Sequence, residues 1–164
     1  MDINQDWTVI RKLFADSIKS GGYCSVATVN TDGSPRVAPI GSLFLLEDGQ
    51  GLFFEKFPQD TRKNMENDGR ICVLAVNSGL WYWITSLFKG QFASPPGIRL
   101  MGRAGDRRPA TGPEKERWLE KVRRFKWSKG YDRLWSDMKF VREVEFDTAE
   151  LLQTGAMTSG MIQA

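Results

Sequence analysis

The stretch from Tyr23 to Asn77 constrains the fold most, because it breaks into four short strand-forming runs separated by turn chemistry. Cys24-Ser25-Val26-Ala27-Thr28-Val29 is small and β-branched. It stops at Asn30-Thr31-Asp32-Gly33-Ser34-Pro35, where Asp-Gly and Ser-Pro sit between apolar runs and predict a hairpin. The second run, Arg36 to Leu46, carries Val37, Ile40, Leu43, Phe44, Leu45 and Leu46, and ends at the turn Glu47-Asp48-Gly49-Gln50-Gly51. The third, Leu52 to Phe57, breaks at Pro58, whose ring fixes φ and which has no N–H for a ladder. The fourth is Ile71 to Val76.

Between the third and fourth runs, Asp60 is a suitable N-cap and Gly69 a suitable stop, which predicts a helix of about two turns. Thr61, Arg62 and Lys63 then fall in its first turn. A helix start offers unpaired N–H groups and a partial positive charge, and here a hydroxyl, a guanidinium and an ammonium join them. The set suits a dianionic phosphate monoester. The plain alternative is that Arg62 and Lys63 are solvated surface charges, although cations at a helix start call for an anion to justify them.

Around this stretch the rest of the chain reads as support. Residues 7, 10, 13, 14 and 18 are apolar at helical spacing, and Gly21-Gly22 ends that helix. On the second run, Val37, Pro39, Gly41, Leu43 and Leu45 share one side, and Arg36, Ala38, Ile40, Ser42, Phe44 and Leu46 the other. Pro39 implies an edge or irregular position. Gly41 fits either a bulge or the close approach of a planar ring. Residues 80–96 form an insertion dense in aromatics, fitted to close a barrel end or a subunit interface.

From about 111 to 130 the chain is basic. Thr111-Gly112-Pro113-Glu114 reads as a capping box for a helix reaching Phe125, with Trp118, Leu119, Val122 and Phe125 on its apolar side. Solvated charge accounts for most of this run, and the sharper reading is an edge that attracts an anionic cosubstrate. Nucleic acid is disfavoured, since the formal charge is only +3 and no reading motif is present. Phe140 to Asp147 alternates as a last strand, with Phe140, Val144 and Phe146 on one side, and the tail from Thr154 to Ala164 is small and polar with scattered methionines.

With 164 residues the chain fits a single domain spanning 1–164. No window is long and apolar enough for a membrane span, and an acidic start, Met1-Asp2-Ile3-Asn4-Gln5-Asp6, does not resemble a signal peptide, so a cytoplasmic location is expected. Cys24 and Cys72 lie in predicted strands without a CxxC spacing, as buried free thiols would. Histidine is absent from the sequence. That removes His-based general bases, Ser/His and Cys/His pairs, and His-ligated zinc or haem. Any difficult chemistry then falls to a cofactor, or to carboxylates and basic groups.

The ordered set of Asp32-Gly33-Ser34-Pro35-Arg36-Val37-Ala38-Pro39-Ile40, Gly51-Leu52-Phe53-Phe54, Thr61-Arg62-Lys63-Asn64-Met65 and Arg70-Ile71-Cys72-Val73-Leu74 resembles the pyridoxamine 5′-phosphate oxidase-like family of FMN-binding split barrels. Gly97 to Ala104 is similar to that family's next barrel strand. The resemblance implies a mainly β fold with flanking helices, a six-stranded antiparallel split barrel of Greek-key type, pairing as a homodimer with the flavin at the interface. It also implies that Arg36, Thr61, Arg62 and Lys63 hold the FMN phosphate, that the strand containing Pro39 and Ile40 lies along the isoalloxazine ring, and that Phe54, Glu55 and Lys56 line its pyrimidine side.

Two departures from the family pattern matter. Members often carry Thr where Glu55 stands; an anion there would disfavour an anionic reduced ring unless Lys56 or Arg62 neutralises it. The basic motif after Arg36 and the terminal substrate motif of the pyridoxamine oxidase branch are not recognisable, which argues against oxidation of pyridoxamine phosphate itself. The resemblance therefore implies an FMN-dependent oxidoreductase exchanging hydride or electrons between NAD(P)H and a small-molecule substrate. The alternatives are a noncatalytic FMN-binding or electron-carrier protein, or a relative that binds a deazaflavin. In either, Trp81, Tyr82 or Trp83 could shield the ring.

Overall fold

The computed structural model describes residues 1–56 and 59–161. Helix α1, Ile3–Gly21, starts where the Asp2 side chain accepts hydrogen bonds from the N–H groups of Asn4 and Gln5, and ends at Gly22, whose φ of 82° only glycine adopts readily. Ile3, Trp7, Ile10 and Phe14 form its buried stripe. The strands follow as β1 Cys24–Val29, β2 Pro35–Ile40, β3 Leu43–Leu45 and β4 Gln50–Phe54. Helix α2, Gln59–Asn67, leads to β5 Arg70–Val76, then α3 Leu80–Lys89 and the long β6 Gly97–Pro109. Helices α4, Gly112–Val122, and α5, Gly130–Leu134, precede β7 Phe140–Leu151.

All recorded pairings are antiparallel, in the order β2-β1-β5-β6-β7-β4-β3. This order closes the sheet. Strands β2 and β3 lie at opposite edges, yet only Gly41 and Ser42 separate them, so the chain covers at most roughly 11 Å between Ile40 and Leu43. The edges must therefore curl towards each other into an open barrel, split where the chain crosses.

The crossing corrects the single second run expected from Arg36 to Leu46, and makes seven strands rather than six. Its causes lie far away in sequence. Pro39 has no N–H to offer. The Ser42 hydroxyl donates to the Phe54 carbonyl at 3.0 Å and accepts from the Phe54 N–H at 3.2 Å, so a side chain pairs with β4 where backbone would otherwise. Gly41 has no space for a side chain because a Cβ would lie 3.1 Å from the Gly22 carbonyl oxygen. It makes room for another stretch of backbone.

Strands β6 and β7 shift register between Met101 and Gly102 and between Ala104 and Arg107. Any Cβ at Gly102 would run into the Glu145 carbonyl, so the first bulge requires glycine. One core cluster, including Ile10, Phe14, Val26, Phe53, Val73, Leu100 and Phe146, fills the space between α1 and the barrel. A second, with Leu52, Phe54, Trp118, Val122, Tyr131 and Val141, lies beneath α4 and α5. The capping box forms as expected. Leu119 departs from the predicted apolar side and is exposed, because α4 stops at Val122 and rests on Trp118 and Val122 alone.

Helix α3 is anchored by Trp83, which donates to the Asn77 carbonyl at 2.6 Å, and by Tyr82, stacked on Phe92 at 5.4 Å. Its other face is bare: Trp81 is 76% and Phe88 90% exposed. The tail turns through Gly155–Thr158, where Met157 accepts from the Phe92 N–H and Thr158 is buried. The expected break at Phe57 and Pro58, and the end of the tail at 162–164, lie outside the described residues. No helix among the described residues is long and apolar enough to cross a membrane.

Candidate functional site

The phosphate-binding set expected around α2 divides into an inward and an outward half. Thr61, Asn64 and Met65, at spacings of three and four, face the barrel, and Thr61 is 2% exposed. The Asn64 amide donates to Thr28 at 3.0 Å and to Asn30 at 2.7 Å, pinning α2 to the end of β1. That rotation places Lys63 outside and leaves Arg62 partly exposed, 3.7 Å from Glu66. The Arg62 Nε is itself buried and has no hydrogen-bond acceptor. Asp60 lies within the first turn rather than capping it, and meets Arg36 at 2.8 Å. Both partners of that pair are substantially exposed, so it is worth about 0–1 kcal/mol and yields readily to a stronger anion.

A recess of about 130 Å³ opens beside the crossing. Pro39, Ile40, Gly41 and Ser42 form one wall, Phe54 and Lys56 a second, and Trp118, Trp135 and Met138 the roof. Four of the residues expected along the ring thus converge from two separate strands. The Lys56 ammonium donates to the Arg133 carbonyl at 3.1 Å, and Trp118 Nε1 donates to the Trp135 carbonyl at 3.0 Å, so the roof is fastened to the barrel. Beneath the crossing, the Cys24 thiol donates to the Ile40 carbonyl at 3.3 Å, and burial pushes its pKa up to about 12. It remains a protonated, unreactive thiol. Cys72 is only half-buried.

Glu55 does not stand as a lone anion in this site. Its carboxylate is 3% exposed and pairs with the 2% exposed Arg142, Nε to Oε1 at 2.9 Å, and with Arg107 at 2.9 Å. Arg62, one of the two neutralisers expected from sequence, meets Glu66 instead. Arg142 also donates to the Gly105 carbonyl at 2.8 Å, and Arg107 lies over the Phe140 ring at 3.4 Å. From Arg142 the network continues to Glu66 at 3.7 Å, and Glu66 is the neighbour of Arg62. Three guanidiniums, Arg62, Arg107 and Arg142, against two carboxylates, Glu55 and Glu66, leave one excess positive charge, which favours an anion beside Arg62.

Sequence reasoning missed Arg142 although it shares a side of β7 with Val144 and Phe146, because a charged residue is not expected in an interior. Val141, on the opposite side of the strand, is buried in the cluster beneath α4 and α5. Trp118 was visible on the apolar side of its helix, but nothing in the sequence pointed it, Trp135 or Met138 at the recess. The basic segment is also partly neutralised: Arg108 pairs with Glu114 at 2.7 Å and with Glu143 at 2.6 Å, and Arg123 pairs with Glu120.

An antiparallel barrel left open at a two-residue crossing and flanked by helices defines the class as a split-barrel protein. The family model for pyridoxamine 5′-phosphate oxidase matches residues 10–153, and the chain belongs to that family. Among solved structures, HupZ of Group A Streptococcus is 20% identical with a TM-score of 0.59, over 92% of this chain and 96% of that one. An FMN-binding protein from Syntrophomonas wolfei is 13% identical at a TM-score of 0.59, over 91% and 89%. An F420 reductase is 15% identical at 0.52, over 78% and 88%. At these identities the likeness is one of fold. No curated protein sequence matches the chain.

Proposed function

We propose that this protein is an FMN-dependent oxidoreductase acting on a small-molecule substrate with NAD(P)H as donor, and that it works as a homodimer. The observation that carries the reading is the convergence of Pro39, Ile40, Phe54 and Lys56 on one recess. The donor set fits the cofactor. The buried Nε of Arg62 lacks an acceptor, Lys63 is exposed, Arg36 is held only by a weak surface pair, and the start of α2 lies among them.

FMN would supply hydride or single-electron exchange. The chain's own part is to seat the phosphate with Arg36, Arg62 and Lys63, Thr61 fixing the start of α2 against the barrel, and to hold the ring against Pro39, Ile40, Phe54 and Lys56. Sites for molecules of this size usually occupy about 300–1,000 Å³, so the recess is one part of such a site. A second copy would complete it over the exposed outer side of β2, where Val37 is 62% exposed. With its carboxylate paired to two arginines, Glu55 adds little negative potential to a reduced ring.

Absorbance of the purified protein in the near ultraviolet and blue tests for a bound flavin. Replacing Arg62 and Lys63 together by Ala should weaken FMN about 100-fold while leaving riboflavin, which has no phosphate, nearly unchanged. Equal loss for both ligands refutes the phosphate assignment. Bleaching by NAD(P)H separates the oxidoreductase from a noncatalytic FMN carrier. A deazaflavin is the second reading, favoured by the likeness to an F420 reductase, and competition between the two cofactors decides it.

A further inference from the structure

We infer that the groove between α1 and α4 is a separate ligand site, taking a small amphipathic carboxylate whose acyl or aryl body lies on the apolar floor while its anion meets Arg117 and Lys121. The groove encloses about 360 Å³, within the range of small-molecule sites. Its floor is made by Phe14, Ile18, Leu43 and Leu45, which offer hydrocarbon and no side-chain donors that a sugar would need.

The rim is cationic. Lys121 is half-buried, donates to the Gly41 carbonyl at 2.9 Å and lies 4.7 Å from the Phe44 ring centre, while Arg117 lies 4.8 Å from the same ring. Neither cation has a carboxylate partner among the described residues. Arg11, also at the rim, is already paired with Glu47 at 2.6 Å. Taking an ammonium out of water is costly unless an anion compensates it, and burial indeed depresses the Lys121 pKa, with Arg117 adding repulsion. Arg142, by comparison, is buried and has its carboxylate. Here an incoming anion would supply one, and the apolar floor selects an anion with a hydrophobic body over phosphate or sulfate. The groove shares no lining residue with the recess, so it does not depend on the flavin reading.

Decanoate and decanol, titrated calorimetrically into the full-length protein, carry the same chain with and without the charge. Decanoate should bind saturably and about tenfold or more tightly than decanol. Arg117→Gln combined with Lys121→Met should reduce decanoate to the level of decanol. Ala15→Trp, at an exposed helix position lining the groove, should fill it and abolish decanoate binding without touching either cation or the core. Equal binding of acid and alcohol, absence of saturable decanoate binding, or its persistence in Ala15→Trp each overturns the proposal.

Discussion

Replacing Arg142 by Met tests the buried charge network most directly. The substitution keeps an unbranched chain of similar reach but removes the 2.9 Å and 3.4 Å bonds to Glu55 and the 2.8 Å bond to the Gly105 carbonyl. Both charged side chains are almost wholly removed from water, so breaking the pair belongs in the range of about 3–5 kcal/mol. Arg107 remains beside the Glu55 carboxylate at 2.9 Å and is itself partly exposed, which places the expected loss near ~3 kcal/mol. For a domain of this length that corresponds to a fall in Tm of about 6–12 °C. Glu55→Gln should be at least as damaging, since it leaves two guanidiniums facing each other. The double variant should be more stable than the sum of the singles predicts, by about 1–3 kcal/mol. Urea denaturation followed by circular dichroism gives all three values. Additivity within about 0.5 kcal/mol, or a loss below about 1 kcal/mol for Arg142→Met, would show that the pair is not coupled as its geometry requires.

Other perturbations read different parts of the molecule. Ile10→Ala, at the fully buried centre of the α1 stripe, should cost about 2–5 kcal/mol in the same denaturation assay. Gly102→Ala should be worse tolerated than any exposed Gly→Ala change, since the new Cβ meets the Glu145 carbonyl; soluble yield and Tm report it. The Arg108 guanidinium and the Thr111 N–H hold the Glu114 carboxyl down to about 2, below its ordinary 4.5. That stabilisation is complete above the unfolded value and is lost as pH falls through the folded one, so Glu114→Gln should flatten the decline in stability between about pH 4.5 and 2. The Cys24 thiol, buried and near 12, should resist thiol reagents at pH 8 until the protein unfolds, as labelling followed by mass measurement would show.

What could be read in advance was chemistry acting over a few residues. The Asp32-Gly33 hairpin, the α1 stripe ended by Gly22, the Thr111/Glu114 capping box and the short helix carrying Arg62 and Lys63 are each set by neighbours in sequence. Pro39 announced an irregularity that the crossing confirms. The break at Gly41–Ser42 was hidden because Ser42 bonds to Phe54, twelve residues on, and Gly41 to Lys121, eighty residues on. The resemblance to the family named Pro39, Ile40, Phe54, Glu55 and Lys56 along the ring; all but Glu55 line one recess, and Glu55 is turned into the ion pair with Arg142.

Trp118, Trp135 and Met138, which roof the recess, could not be placed beside them, because a helix that packs on a barrel gives the same periodicity whichever part of the barrel it covers. Arg142 was hidden by a more general effect. A period of two places Arg142 on the same face as Val144 and Phe146, but charge marks it as a surface residue, and only the covering of both faces of β7, one by the barrel core and the other by α4 and α5, buries Val141 and Arg142 alike. A buried arginine needs a buried acid, and Glu55, the position where the chain departs from its family, supplies it. The departure that looked like a disadvantage for a reduced cofactor is therefore one half of an ion pair. Glu55 and Arg142 are to be read together, as a pair whose charges cancel inside the barrel and which continues through Glu66 to Arg62.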